Sequence, residues 1–168
     1  IEGQSTIASE IYKEINPDII VSSIGGGGLI SGLSLYSKMK NNCQIIGAEP
    51  YSCQSMKQSI LKDEIIYIDT KNNFVDGATV NKVGNTTFEI CKNYVDEIHG
   101  ILDGETCENI LDLYEKDGII VEPAGALGLA ALNHITNDIE NKNVVVILSG
   151  GNNDVSRYPE IQEKFLKY

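Results

Sequence analysis

The chain has 168 residues, 42% hydrophobic and 22% charged, with a formal net charge of −11. Those values suit one soluble globular domain with a proper core, and the acidic balance argues against nucleic acid or an anionic membrane as partner, since both need a basic surface. No apolar run reaches the ~20 residues of a membrane span and no signal peptide is visible. Cys43, Cys53, Cys91 and Cys107 lie far apart without a Cys-x-x-Cys pair, which reads as reduced structural thiols in a cytoplasmic protein. With only His99 and His134, a histidine-rich metal site is not expected.

In chain order, Ser5 or Thr6 is placed to cap a helix whose apolar positions Ile7, Ile11 and Ile15 recur every fourth residue, and Asn16-Pro17-Asp18 stops it. Ile19 to Ser23 reads as a buried parallel strand. Leu29 to Met39 is a helix, Gln44 to Ala48 a strand ended by Glu49-Pro50, Ser52 to Leu61 a helix and Ile65 to Ile68 extended. Phe74 to Thr79 is a loop, Val83 to Tyr94 a helix and Asp96 to Ile101 a strand. Asp103 caps a helix from Glu105 to Lys116 that ends at Gly118. Ile119 to Val121 is a short strand, Pro123 to Ile135 a helix and Val144 to Leu148 a β-branched strand; a Gly/Asn loop, Ser149 to Asp154, precedes a polar helix from Pro159 to Leu166. Strands alternate with helices, the pattern of an α/β fold with a mostly parallel, doubly wound sheet and helices on both faces.

The strongest local signal is Ile24-Gly25-Gly26-Gly27-Gly28-Leu29, set between the first strand and the second helix. Four consecutive glycines cost chain entropy, so bare backbone must be needed there. A phosphate is the usual reason: loop N–H groups converge on the anion and the following helix aims its positive end at it. A tight strand-to-helix turn is the plainer alternative. The spacing is not a Walker loop, because Leu29-Ile30-Ser31 stands where Gly-Lys-Ser/Thr is required. It fits a dinucleotide fingerprint poorly, with Ser31 at the third glycine position and Glu49 followed at once by Pro50.

Ligands of such sheets bind at the carboxyl ends of strands. Three loops are expected there: Ser23 to Gly28, Glu122 to Gly125, and Ser149 to Asn153. Pro123 suits the first position of a helix, which puts Glu122 at its positive end. Ser149-Gly150-Gly151-Asn152-Asn153 allows close approach to a flat ligand, and the Ser149 hydroxyl offers one hydrogen bond. Each loop taken alone is also explained as an ordinary turn or cap, Asp76-Gly77 most readily of all.

Taken together, Gly3-Gln4-Ser5-Thr6-Ile7-Ala8, Gly25 to Leu29, Phe74-Val75-Asp76-Gly77-Ala78 with Val83-Gly84, Val121 to Ala126, and Leu148-Ser149-Gly150-Gly151-Asn152-Asn153-Asp154 resemble the fold-type-II pyridoxal-phosphate enzymes, the tryptophan-synthase-β-like group. Within that group the chain is most similar to the threonine ammonia-lyases (threonine dehydratases) of isoleucine biosynthesis. The resemblance implies pyridoxal 5′-phosphate as cofactor. Gly25, Gly26, Gly27, Gly28 and Leu29 would hold its phosphate through backbone N–H groups. Ser149 would face the pyridine nitrogen, Gly77 would run beside the ring, and Glu122 would lie near the site. A serine there donates to a neutral ring nitrogen, whereas an aspartate would keep it protonated. The implied reaction removes the α-proton of threonine and expels the β-hydroxyl, and the enamine released hydrolyses to 2-oxobutanoate and ammonia.

The family's Schiff-base lysine and substrate-carboxylate loop lie upstream of the matching stretches, so no catalytic residue is assigned in this chain. Residues 1–168 are read as the C-terminal part of a catalytic domain whose upstream half is absent. The start at Ile1 rather than Met agrees, and the chain alone is expected to be inactive. Ser52, Cys53, Gln54 and Ser55 offer no carboxylate after Glu49-Pro50, where metal-binding relatives carry one, so no metal is expected. The substrate is a small amino acid, threonine or serine, and the full-length enzyme is expected to be a homo-oligomer. The competing readings are a serine dehydratase or serine racemase of the same family, a nicotinamide-dependent oxidoreductase, and a ligand-binding domain that has lost the chemistry.

Overall fold

A computed structural model describes residues 1–135 and 139–168. Four strands, β1 (Ile19–Ser23), β2 (Gln44–Pro50), β3 (Glu97–Ile101) and β4 (Val144–Val146), form one sheet in the order β3-β2-β1-β4. Every pairing is parallel, with Val21 opposite Ile46 on one side and Val146 on the other. All five residues of β1 are buried, which is why its sequence is a continuous small or apolar run rather than an alternation.

Around the sheet lie α1 (Glu2–Glu14), α2 (Gly28–Lys40), α3 (Ser55–Lys62), α4 (Asn85–Tyr94), α5 (Asp103–Asp112), α6 (Pro123–Ala130) and α7 (Tyr158–Leu166). The two-residue period of a strand divides the core in two. Ile20 and Ile45 point to one face and pack with Ala8 of α1, Leu33 of α2, Met56 of α3 and Phe88 of α4. Ile19, Val21, Ile46 and Ala48 point to the other, against Ile110 of α5, Leu127 of α6 and Ile161 of α7. Helices therefore cover both faces, and truncating a fully buried core residue such as Ile20 to alanine should cost about 2–5 kcal/mol.

Helix α1 lies on α2 backbone to backbone. A Cβ on Gly32 would stand 2.7 Å from the Ser5 nitrogen and 2.8 Å from the Ile1 oxygen. The helix starts earlier than the expected caps. Ser5 and Thr6 fall inside it, and their hydroxyls donate to the Glu2 and Gly3 carbonyls.

Other boundaries differ for local reasons. Ile65 to Ile68 joins no strand; the Ile68 N–H donates to the Asn81 carbonyl across a loop. Asp103 is the first residue of α5 rather than its cap. Glu105 supplies the cap by accepting from the Leu102 N–H at 2.8 Å, and Asp103 accepts from Lys164 and Asn72. Helix α5 passes into a π-turn, Leu113–Asp117, which Gly118 closes in the left-handed region at φ 67°. Helix α6 gives way to a 3₁₀ turn, Ala131–His134.

The strand expected at Ile119 to Val121 is not present. Ile119 and Ile120 are exposed there, and the chain runs instead beside the loop after β4, with the Glu122 N–H donating to the Gly150 carbonyl at 2.9 Å. Only two of the three unusual loops therefore follow strands of the sheet.

Candidate cofactor site

The sheet order makes a switch point. From β1 the chain winds outward through β2 to β3, then returns to the opposite side of β1 as β4. Loops leaving the carboxyl ends of β1 and β4 diverge to opposite faces and leave a crevice between them, the usual ligand position in such sheets. That crevice is a cleft of about 220 Å³ lined by Ser23, Gly25, Gly26, Gly27, Gly28, Leu29, Gly77, Glu122, Ala124 and Ser149.

Its floor is the glycine run. The Ile24 N–H donates to the Ala48 carbonyl at 2.7 Å, which ties the root of the loop to β2. Gly27 is left-handed (φ 86°), and its carbonyl accepts from Ser31 in the first turn of α2. A Cβ there would lie 2.7 Å from Met56 Cε and 3.0 Å from Thr87 Cβ, so both conformation and space require glycine. Thr87 Oγ1 lies 2.8 Å from the Gly26 carbonyl and 3.1 Å from the Gly84 carbonyl, buttressing the loop from behind. A Cβ on Gly25 would meet the Gly77 carbonyl at 3.0 Å, whereas Cβ atoms on Gly26 and Gly28 would meet nothing within 4 Å. No side chain caps α2, a helix of 13 residues. Bare backbone facing a cleft at an uncapped helix N-terminus fits a phosphate.

The wall opposite is built from chain segments distant in sequence. Asp76 accepts from the Gly77 N–H, and Arg157 donates to the Phe74 carbonyl at 2.6 Å while covering the Phe74 ring. The segment just before α7 thus holds the Phe74 to Ala78 loop. Glu122 precedes α6, with Pro123 at the first helical position as expected. Its carboxylate fills the space beside Gly150, where a Cβ would collide with it, and lies 3.5 Å from the position of a Cβ on Gly77. Ser149 reaches the cleft from the end of β4, with its Oγ 3.3 Å from Ser23 Oγ. A flat ring between Gly77 and the Ser149 hydroxyl, with its phosphate on the glycine loop, suits these walls, and among the described residues no lysine lines the cleft.

All eight residues singled out in the sequence, Gly25 to Leu29 with Gly77, Glu122 and Ser149, lie on this one cleft. Ser23 and Ala124 also line it; both lie in the loops expected at the strand ends, but neither was given a role of its own. Ser23 had a signal: it is a hydroxyl residue ending a strand that is apolar through its first three positions.

Glu49 stands apart from the cleft. It is 1% exposed, and its two oxygens accept from the Met56 and Lys57 N–H groups at 2.8 and 2.9 Å, capping α3 from a distance. Burial pushes its carboxyl up to about 7 against those two hydrogen bonds. Among the described residues no group of three or more His, Cys, Asp or Glu side chains is placed to hold a metal ion, and no helix is long and apolar enough to cross a membrane. All four cysteines are free and buried.

The family model for "Pyridoxal-phosphate dependent enzyme" matches residues 1–150. Among curated proteins, the biosynthetic L-threonine dehydratase IlvA of Halalkalibacterium halodurans is 43% identical over all of this chain and 41% of its own length. That of Staphylococcus aureus is 44% identical over all of this chain and 42% of its own. The chain thus spans about two-fifths of the length of these relatives. Among solved structures, processed threonine deaminase isoform 2 of Solanum lycopersicum superposes with a TM-score of 0.87 at 30% identity, covering 96% of this chain and 48% of that one. Maize serine racemase superposes with a TM-score of 0.86 at 31% identity, covering 98% and 52%. With its sheet, its glycine cradle and a family match over most of its length, the chain belongs to the pyridoxal-phosphate dependent enzymes.

Proposed function

We propose that the chain is the cofactor-holding part of an L-threonine dehydratase, which converts L-threonine to 2-oxobutanoate and ammonia. The observation that carries this reading is the meeting of the glycine loop, Gly77, Glu122 and Ser149 on one cleft, in a chain whose full-length match is to threonine dehydratases.

In this reading, backbone N–H groups of Gly25 to Leu29 and the N-terminus of α2 hold the cofactor phosphate. Gly77 lets the backbone lie against the ring because it presents no side chain. Ser149 would donate to the pyridine nitrogen, and the Glu122 carboxylate, held beside Gly150, would face the same cleft. Bound there, pyridoxal phosphate supplies a sink for the electrons left when the α-proton departs. A hydroxyl in place of a carboxylate opposite the nitrogen would leave that nitrogen neutral. Among the described residues no lysine lines the cleft, so this reading assigns the covalent anchor and the α-proton base to the upstream part of the catalytic domain. The working enzyme is read as a cytoplasmic homo-oligomer that takes a small amino acid.

The test measures 2-oxobutanoate formed from threonine. The complete catalytic domain with pyridoxal phosphate is expected to turn over, and residues 1–168 alone are expected to yield no product; turnover by this chain alone would overturn the assignment of roles. The likeness to maize serine racemase favours serine as the second reading. D-serine or pyruvate formed from L-serine faster than 2-oxobutanoate from threonine would select it.

A further inference from the structure

We infer that Ser23 is a positioning residue that fixes the hydroxyl of Ser149 as a donor toward the pyridine nitrogen of the cofactor. This rests on the reading of Ser149 proposed above. Strands β1 and β4 pair in parallel up to Val21 and Val146, and the Ile147 N–H donates to the Val21 carbonyl, so the two strand ends leave the sheet side by side. That register brings Ser23 Oγ to 3.3 Å from Ser149 Oγ at the cleft wall. The neighbouring Ser22 hydroxyl is turned the other way, onto the Ser23 carbonyl.

The direction of the Ser23–Ser149 bond decides what Ser149 offers. A serine hydroxyl has one proton and two lone pairs. Ser23 is 8% exposed, and the Ser149 oxygen is the partner its hydroxyl has in the wall. If Ser23 donates, its proton is satisfied and the Ser149 proton is free to point at a neutral ring nitrogen. If Ser149 donated to Ser23, the Ser23 proton would be left on the cleft wall, at a residue only 8% exposed, without an acceptor once a ring displaces water from the cleft. Ser149 would then turn a lone pair to the ring and favour the protonated nitrogen. Leaving a nearly buried hydroxyl unpartnered is costly, so the first arrangement prevails. Among the described residues lining the cleft, Glu122 is the ionisable one. Its carboxylate lies beside Gly150 and next to the place of a Cβ on Gly77. It favours a protonated ring nitrogen, and the Ser23–Ser149 pair opposes it.

The probe is 4′-deoxypyridoxine 5′-phosphate, which carries the ring and the phosphate but no aldehyde, so binding needs no lysine. Its affinity is measured by calorimetry and its ring protonation by ultraviolet absorption across the neutral range, on the protein as expressed from its own gene. Ser23→Ala is expected to weaken the probe by roughly three- to tenfold, the worth of one hydrogen bond. It is also expected to raise the pH at which the bound ring protonates. Ser23→Thr should restore both, and inorganic phosphate should compete equally well in all forms, since the glycine loop is untouched. In a Ser149→Ala background, Ser23→Ala should add nothing. Unchanged affinity and ring protonation in Ser23→Ala, or an additive loss in the double variant, would overturn the inference and leave the cofactor reading standing. A wild-type protein that does not bind the probe would overturn both.

Discussion

Replacing Gly27 and Gly26 in turn separates what the glycine run does for the fold from what it does for a ligand. Gly27 sits at φ 86°, where an L-residue is disfavoured by roughly 1–2 kcal/mol. An alanine Cβ would also meet Met56 Cε at 2.7 Å and Thr87 Cβ at 3.0 Å. The methionine tip yields at the expense of an off-rotamer side chain, about 0.5–1.5 kcal/mol. Thr87 is less free, because its hydroxyl holds the Gly26 and Gly84 carbonyls. Gly27→Ala should therefore destabilise the protein by about 2–3 kcal/mol. Gly26 has neither constraint: its φ is not positive and a Cβ would meet nothing within 4 Å. Gly26→Ala should change stability by less than about 0.5 kcal/mol. Yet it places a methyl on the cleft floor, and affinity for pyridoxal phosphate should fall by about tenfold or more. Urea unfolding reads the first effect as a lower midpoint at constant slope, and equilibrium dialysis reads the second. If Gly26→Ala bound the cofactor like the wild type, bare backbone at this position would not be what holds the phosphate.

The remaining predictions concern single side chains. For Glu49 the sign follows from a folded value of about 7 against an ordinary 4.5. The protonated form favours the fold, so this contribution is complete below the ordinary value and is lost as pH rises through 7. It amounts to about 3 kcal/mol at about 1.4 kcal/mol per unit. Glu49→Gln should flatten that part of the stability profile, and identical slopes for both proteins would refute it. Gly150→Ala would drive a methyl into the Glu122 carboxylate. It should displace that side chain, lower cofactor affinity by about tenfold, and reduce stability by about 1–2 kcal/mol. Burial pushes Cys43 and Cys91 up to about 11 and Cys107 up to about 12. A thiol reagent at pH 8 should therefore label these cysteines at least ~100-fold faster in urea than in the native protein.

The elements most legible in the sequence were those whose signal is local. Strand β1 starts with its apolar residues and ends at Ser23, the bounds expected of it, and Pro123 opens α6 because its fixed φ and missing N–H suit that position. Where the expectation slipped, a tertiary partner decided. Nothing within Ile119-Ile120-Val121 says that the chain there will run beside the loop after β4, with the Glu122 N–H on the Gly150 carbonyl, rather than join the open edge of β4. Nor does Asp103 announce that Lys164 and Asn72 will claim its carboxylate, leaving Glu105 to cap α5.

The site divides along the same line. Glycines are legible because the backbone conformation they allow is a property of the residue itself, so the loop from Gly25 to Gly28 stood out before any fold was known. Ser23 was legible only as the start of a loop at a strand end; its pairing with Ser149 was not, because that depends on a strand 121 residues further along the chain that β1 happens to pair with. In a parallel sheet, adjacent strands are joined by long crossovers, and residues at neighbouring strand ends are remote in sequence. The chemistry of such a cleft is set pairwise across that gap. Ser149 alone offers a donor or an acceptor, and in the inference drawn above it is the neighbour supplied by the sheet order, Ser23, that selects between them. On that reading, motifs taken one at a time show where a cofactor would sit sooner than they show what would hold its ring nitrogen in one protonation state.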